Sequence, residues 1–100
     1  MKVSLKESFT LLDGRLSTDI SKVYKMLNYI FDASLLTHQL PVAMKKLKKV
    51  KPEWFKDGVQ FIEKIKVDNG TNDFGELMEI IDSNFSTYEI KLEKIEKKVN

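Results

Sequence analysis

The chain has 100 residues, of which 42% are hydrophobic and 32% are charged, and its net charge is +2. A chain of this size forms a single domain over residues 1–100, and its composition excludes wholesale disorder. The absence of cysteine excludes a disulfide framework, a thiolate nucleophile and a cysteine-ligated zinc. Apolar runs are only a few residues long and the N-terminus lacks the apolar segment of a signal peptide, so we expect no membrane contact and no secretion.

Two helices are predicted in the first third of the chain. Ser4 and Glu7 have the spacing of a capping box, which predicts a short helix that ends at Gly14. Apolar residues then recur at three- and four-residue steps up to Phe31, and Asp19 precedes them as a cap. This pattern predicts an amphipathic helix over about residues 19–31.

A third helix is predicted from Leu40, because Pro41 is well suited to a first helical turn. Its buried stripe consists of Leu40, Ala43, Met44 and Leu47. Pro52 then predicts a break, followed by a short turn that carries Trp54 and Phe55.

Three later segments fit either a helix or a strand, namely residues 59–67, 76–81 and 87–95. Asp68-Asn69-Gly70 is a turn signal between two of them. We therefore expect a mainly α, helix-dominated fold. An α+β fold with a small C-terminal β element remains the alternative.

Charge is distributed unevenly along the chain. Residues 1–50 hold nine basic and four acidic residues (net +5), whereas residues 51–100 hold eight and eleven (net −3). The basic excess is concentrated in Lys45, Lys46, Lys48, Lys49 and Lys51. Such a run can contact a partner or a phosphate backbone, but a lysine run on a helix more often forms its solvated face.

Enzymatic chemistry needs residue sets that this chain lacks. One histidine and no Gly-x-Ser-x-Gly turn disfavour nucleophilic catalysis, and no glycine-rich loop is present to hold phosphate. Residues 68–79 have the length of a calcium loop, but Gly70 and Asp73 stand where an oxygen ligand and a glycine are needed. We therefore expect no enzyme activity, no metal and no cofactor.

Polar residues precede two of the predicted helices, and they include the only arginine and the only histidine. Helix N-termini offer unpaired N–H donors, which suit an anion or a phosphate. The candidate ligand-binding residues are Arg15, Ser17, Thr18, Thr37, His38 and Gln39. The same residue types also form ordinary helix caps, and Arg15 can pair with Asp13 or Asp19 instead.

Met26, Tyr29 and Phe31 extend around the second helix beyond a single buried stripe. An apolar second face on a small protein is typical of self-association or of a partner surface. We therefore expect a homo-oligomer.

Four short strings follow one another along the first half of the chain: Gly14-Arg15-Leu16, Val23-Tyr24, Leu27-Asn28-Tyr29 and Thr37-His38-Gln39-Leu40-Pro41. Their order resembles a family of small uncharacterised proteins encoded by phages and prophages, over about residues 5–55. One departure is Val42, where related sequences tend to carry arginine. If that arginine helps to bind an anion, this chain has to use Lys45 instead or do without it.

The resemblance implies a phage protein in the cytoplasm of an infected bacterial host, and it supplies no catalytic residues. It favours a counter-defence protein that binds stoichiometrically and sequesters a phosphorylated nucleotide immune signal. The alternative is an anti-CRISPR-type inhibitor that binds a host defence protein. A small DNA-binding regulator is a further alternative, but nucleic acid is not an expected partner because the basic run offers only lysine for reading bases.

Overall fold

A computed structural model describes residues 1–95, which form five α-helices and one two-stranded antiparallel sheet. The elements in chain order are β1 (Lys2–Ser4), α1 (Leu5–Asp13), α2 (Ile20–Phe31), a 3-10 turn (Thr37–Gln39), α3 (Leu40–Val50), α4 (Pro52–Asn69), α5 (Phe74–Asn84) and β2 (Glu89–Lys91). The expectation of a mainly α fold with a small β element is confirmed.

The first three helices begin and end as the sequence predicts. Ser4 and Glu7 form the reciprocal hydrogen bonds of a capping box at α1, and Gly14 ends that helix with a φ of 94°. Asp19 is the N-cap residue of α2. Pro41 lies in the first turn of α3, where its missing N–H costs no hydrogen bond.

The three ambiguous segments resolve as two helices and one strand. The predicted short turn after Pro52 is wrong in extent, because α4 continues for 18 residues through 59–67 and ends at Gly70. Residues 76–81 lie within α5, whose cap is Asp73. Within 87–95, only Glu89–Lys91 are a strand.

The sheet joins the two ends of the described chain. β1 pairs antiparallel with β2, and Val3 lies opposite Ile90. Strand β1 has no counterpart among the sequence predictions, since three residues before a capping box are too few to show an alternating pattern.

Two apolar clusters form the core. The first lies mainly among β1, α2 and α3, and the second among α1, α4 and α5. Trp54, Phe55 and Ile90 pack against both clusters, so the start of α4 and strand β2 lie where the clusters meet.

The apolar residues expected on a second face of α2 pack against the core, although Ile20 in its first turn is exposed. Met26 is 1% exposed, and Tyr29 and Phe31 pack against the first cluster. The expected exposed second face of this helix is therefore wrong, because its extra apolar residues complete the core. No helix among residues 1–95 is long and apolar enough to cross a bilayer.

Candidate functional site

Two neighbouring cavities share the side chain of Trp54. The larger, of about 360 Å³, is lined by Leu5, Leu12, Trp54, Asp57, Gly58, Phe61, Tyr88 and Ile90. The smaller, of about 180 Å³, is lined by Ile30, Leu47, Lys51, Trp54, Lys91, Leu92 and Glu93. We call the two together the Trp54 cleft.

Two chain segments each line both cavities, with neighbouring residues of a segment contributing to one cavity and then to the other. Along the start of α4, Lys51 lines the smaller cavity, Trp54 lines both, and Asp57 lines the larger. Along the C-terminal segment the order is reversed, since Ile90 lines the larger cavity and Lys91 the smaller. The two cavities of the Trp54 cleft therefore lie side by side between α4 and the segment around β2, and Trp54 contributes to the wall of each.

Aromatic and aliphatic side chains form the walls of the larger cavity. The rings of Phe61 and Tyr88 stack with centroids 5.1 Å apart, and Phe85 meets Phe61 edge-on at 5.6 Å. Gly58 allows α1 and α4 to approach closely, because a Cβ at this position would lie 2.6 Å from a Leu12 methyl carbon. The volume and the apolar lining are typical of sites for small molecules.

The polar groups of the Trp54 cleft have few partners within the protein. Among residues 1–95, the Trp54 indole N–H and the Tyr88 hydroxyl make no hydrogen bond, and neither Lys51 nor Asp57 makes an ion pair. Lys91 lies 3.7 Å from Glu93, but both side chains are largely exposed, so this pair contributes little. Hydrogen-bond donors, acceptors and aromatic rings are thus available to a ligand.

Arg15 is held in place by partners within the protein. Its guanidinium donates to Asp13 at 2.6 Å and to the Asn72 carbonyl at 2.8 Å. It also lies over the rings of Phe9 and Phe74, at 5.7 and 5.6 Å from their centroids. Arg15 therefore fastens the α1–α2 loop to the start of α5.

Lys66 completes this network from α4 by donating to Asp13 at 3.1 Å. Burial alone raises the pKa of Asp13, but hydrogen bonds from Arg15 and Lys66 outweigh it, so the pKa lies below its ordinary value. Burial lowers the pKa of Lys66, but hydrogen bonds to Asp13 and Glu63 outweigh it, so that pKa is raised. Each charge stabilises its neighbours. We call Asp13, Arg15, Lys66 and Asn72 the Arg15 network.

Ser17 and Thr18 lie at a different place. The Ser17 hydroxyl donates to the Lys6 carbonyl and contacts the Thr10 hydroxyl at 2.8 Å, so it ties the loop to α1. Both residues line a shallow polar pocket together with Glu7 and Asp19. Lys6 and Lys22 also line the pocket, but both are paired with carboxylates, so this helix opening has no excess of positive charge for a phosphate.

Thr37, His38 and Gln39 form the 3-10 turn before α3. The Thr37 hydroxyl contacts that of Tyr24, and the Gln39 side chain accepts a hydrogen bond from the Leu36 N–H. His38 is exposed, and it makes no ion pair or hydrogen bond within residues 1–95.

The two predicted halves of the ligand site lie on different flanks of α2. Lys22 lines the pocket of Ser17 and Thr18, whereas Tyr24 contacts Thr37. Residues two apart on a helix point about 160° away from each other. Arg15 meets neither group, since its partners are on α1 and before α5. The described residues therefore do not bring Arg15 and His38 into one pocket.

The lysine run divides into two parts. Lys45, Lys46, Lys48 and Lys49 are exposed on α3 and make no ion pair within residues 1–95; Lys48 lies 5.1 Å from the Phe55 ring centroid. Lys51 is half-buried and lines the smaller cavity. We call the first four the α3 lysine face.

Residues 1–95 contain no group of three or more histidine, aspartate or glutamate side chains arranged to hold an ion. The segment that resembles a calcium loop is divided between α4 and α5, with only residues 70–73 between them.

The Trp54 cleft could not be identified from sequence because its walls come from all of α1, α2, α3, α4 and the segment around β2. Large aromatic residues such as Trp54 and Phe55 usually indicate the core. The sequence pattern around Trp54 does not show that its side chain is only half-buried. One usable signal was the pair Asp57-Gly58 within an aromatic helix, because a glycine inside a helix often marks a close approach.

Comparison with known proteins gives one match. A family model described as a domain of unknown function (DUF7736) matches residues 3–58, which is more than half of the chain. No curated protein matches the chain. No solved structure matches it either.

Proposed function

Because the chain belongs to the DUF7736 family, whose description names no activity, we propose a function from the geometry of the Trp54 cleft. We propose that the protein binds a phosphorylated nucleotide there, one ligand per chain, and withholds it from other proteins. The observation that carries the proposal is that the two neighbouring cavities contain both aromatic side chains and polar groups that have no partner within residues 1–95.

The larger cavity supports binding of the base. Trp54, Phe61 and Tyr88 line it, and stacking of a base on an aromatic side chain contributes about 1–3 kcal/mol. The Trp54 N–H and the Tyr88 hydroxyl offer donors to ring nitrogens and carbonyl oxygens.

The smaller cavity supports binding of the phosphate. Lys51 has no acidic partner within residues 1–95, and the exposed Glu93 neutralises Lys91 only weakly. A half-buried ammonium attracts an anion more strongly than a fully solvated one, because water screens it less. Lys51 is therefore the principal phosphate contact in this proposal.

The proposal keeps the nucleotide predicted from sequence but assigns it to other residues. Arg15, Ser17, Thr37 and Gln39 are occupied by contacts within the protein. His38 and Thr18 make no side-chain hydrogen bond within residues 1–95, and they belong to separate flanks of α2.

We propose binding without turnover, in a phage-type counter-defence protein of the host cytoplasm. The ionisable side chains that line the cleft are Lys51, Asp57, Tyr88, Lys91 and Glu93. None of these pairs a nucleophile with a base in the way that phosphate-ester hydrolysis by a serine or histidine group requires.

The only tryptophan of the chain reports on the site directly. We expect Trp54 fluorescence to change on titration with 5′-monophosphates (AMP, GMP, CMP and UMP) and ADP-ribose, and calorimetry to give one ligand per chain. Adenosine and inorganic phosphate, each lacking half of the ligand, should bind at least about tenfold more weakly than AMP. Chromatography should recover the nucleotide unchanged.

Matched lysine variants locate the phosphate. Lys51→Gln should weaken AMP binding about tenfold, the cost of one charge-assisted hydrogen bond. Lys56→Gln is the control, since Lys56 is exposed on the opposite side of α4 from Trp54. If no nucleotide gives either a fluorescence change or heat, the proposal is wrong. If the nucleotide is converted, the protein is a catalyst and not only a binding protein.

A second candidate function rests on the α3 lysine face. Residues 33–52 contain no acidic residue, and Val42 on the same helix is 63% exposed. We propose an acidic protein as the partner, as in an inhibitor of a host defence protein, because an exposed valine among lysines suits a protein better than a phosphate backbone.

This candidate is tested by the double variant Lys45→Gln/Lys49→Gln against Lys25→Gln/Lys56→Gln. The first variant should lose a partner that co-purifies from host cells, and the second should retain it. Retention of duplex DNA at low salt, lost steeply as salt rises, would assign the face to nucleic acid instead.

A further inference from the structure

One carboxylate stands among the apolar side chains of the larger cavity. Among the described residues that line that cavity, only Asp57 has a formal charge at neutral pH. It makes no ion pair with any residue in the range 1–95. A ligand in this cavity therefore meets a negative acceptor that the protein itself leaves unpaired.

The position of Asp57 along α4 puts it between two of the aromatic side chains. Trp54 precedes it by three residues and Phe61 follows it by four, spacings that place all three on one face of the helix. A base bound between these side chains therefore shares the cavity with the Asp57 carboxylate.

An ionised carboxylate only accepts hydrogen bonds, so it selects the base edge with the most adjacent donors. Guanine presents two neighbouring donors, the ring N1–H and the 2-amino group, which match the two oxygens of one carboxylate. Adenine and cytosine place one amino donor beside an acceptor, and uracil places one N–H between two acceptors. An acceptor atom that faces the carboxylate forms no hydrogen bond with it and gives up its hydrogen bond to water.

Building on the proposed function, we infer that the Trp54 cleft selects guanine nucleotides through Asp57. The carboxylate accepts both donors of guanine in a bidentate pair, the strong form of charge-assisted hydrogen bond. The Trp54 N–H and the Tyr88 hydroxyl remain available for the acceptor atoms of the base. Asp57 is exposed, so water competes for it and the selectivity is moderate.

Two nucleotides that differ in one amino group test the inference. GMP and IMP share their phosphate, ribose and ring N1–H, and IMP lacks only the 2-amino group. We expect Trp54 fluorescence titration to give GMP a dissociation constant about tenfold lower than that of IMP, the worth of one hydrogen bond to a charged group. AMP should bind in the range of IMP.

Variants of the chain assign the selectivity to Asp57. Asp57→Asn should weaken GMP about tenfold and leave IMP within about threefold, because an amide presents a donor where guanine presents another donor. Asp68→Asn is the matched control, since Asp68 is an exposed, unpaired acid at the far end of α4. Circular dichroism should show both variants folded, because both side chains are exposed.

The possible failures are distinct. Equal affinity for GMP, IMP and AMP, or a GMP preference that survives in Asp57→Asn, overturns the guanine inference and leaves nucleotide binding intact. No binding of any of the three nucleotides overturns both proposals.

Discussion

The Arg15 network and the Trp54 cleft contain the same kinds of groups in opposite states. In the Arg15 network a carboxylate accepts hydrogen bonds from a guanidinium and an ammonium, and the guanidinium lies over two phenylalanine rings. In the Trp54 cleft, an ammonium, a carboxylate and an indole N–H lie beside aromatic rings without partners in the described chain. The first arrangement fastens loops to helices, and the second is open to a ligand.

The difference shows that the scarcity of a residue type does not reveal its role. Arg15 is the only arginine and was the leading candidate for binding a phosphate, yet its hydrogen bonds are all made within the protein. Lys51 is one of sixteen lysines, but it lines the cleft beside Trp54 and has no acidic partner within residues 1–95, which makes it the better candidate.

The largest expected effect is stabilisation of the whole protein by a ligand in the Trp54 cleft. GMP at one hundred times its dissociation constant should raise the free energy of unfolding by about 2.7 kcal/mol. Differential scanning calorimetry measures the corresponding rise in Tm. Lys51→Gln at the same GMP concentration should show a clearly smaller rise, and an identical rise would remove Lys51 from the site.

Arg15→Ala should lower the free energy of unfolding by about 2 kcal/mol, because Asp13 and the Asn72 carbonyl lose charged donors. Urea denaturation measures the change, and GMP affinity should stay within about threefold. His38→Ala is the control, with a change under about 0.5 kcal/mol for an exposed side chain. Loss of GMP binding in Arg15→Ala without loss of stability would mean that the Arg15 network binds the ligand and does not mainly stabilise the fold.

Acid should remove the contribution of Asp13. Its pKa is lowered in the folded protein, so its stabilisation is complete above its unfolded value, about 3.9, and disappears as pH falls through the lower folded value. Asp13→Asn should therefore be less stable than the parent by about 1–2 kcal/mol at pH 7, and the gap should close toward pH 2. Urea denaturation of both proteins at pH 7, 5 and 3 measures this difference in the free energy of unfolding. A gap that stays constant across these pH values would contradict the prediction.

The smallest effect is expected at the α3 lysine face. Lys45→Gln/Lys49→Gln should change the free energy of unfolding by less than about 0.5 kcal/mol, since both residues are exposed and unpaired in the described chain. GMP affinity should also be unchanged, as measured by Trp54 fluorescence. A large drop in either quantity would mean that this face belongs to the core or to the cleft.

The fold was largely predictable because its signals are local. The capping box at Ser4, the period of α2 and the proline of α3 each act within one or two helical turns. Residues 59–67 were ambiguous because their apolar residues fit the repeat of a helix as well as that of a strand. The packing of Ile62 and Ile65 against α1 and α5 selects the helix. Strand β1 exists because of its distant partner β2, which no local pattern shows.

The candidate site was not predictable for the same physical reason. Whether Arg15 is free depends on Asn72, 57 positions away, and whether Trp54 is accessible depends on Tyr88 and Ile90. The sequence identifies residue types that can bind an anion. Only the fold decides which of them the protein has already used.

The pairing of β1 with β2 has a consequence for when the Trp54 cleft comes into existence. These strands close a loop of nearly the whole described chain, and contacts of such high contact order carry a large closure entropy and form late in folding. Because Ile90 and Lys91 belong to β2, a chain that has collapsed around its helices but not yet joined its ends has no complete binding site. If the cleft binds the proposed nucleotide, only molecules that have finished folding can capture it.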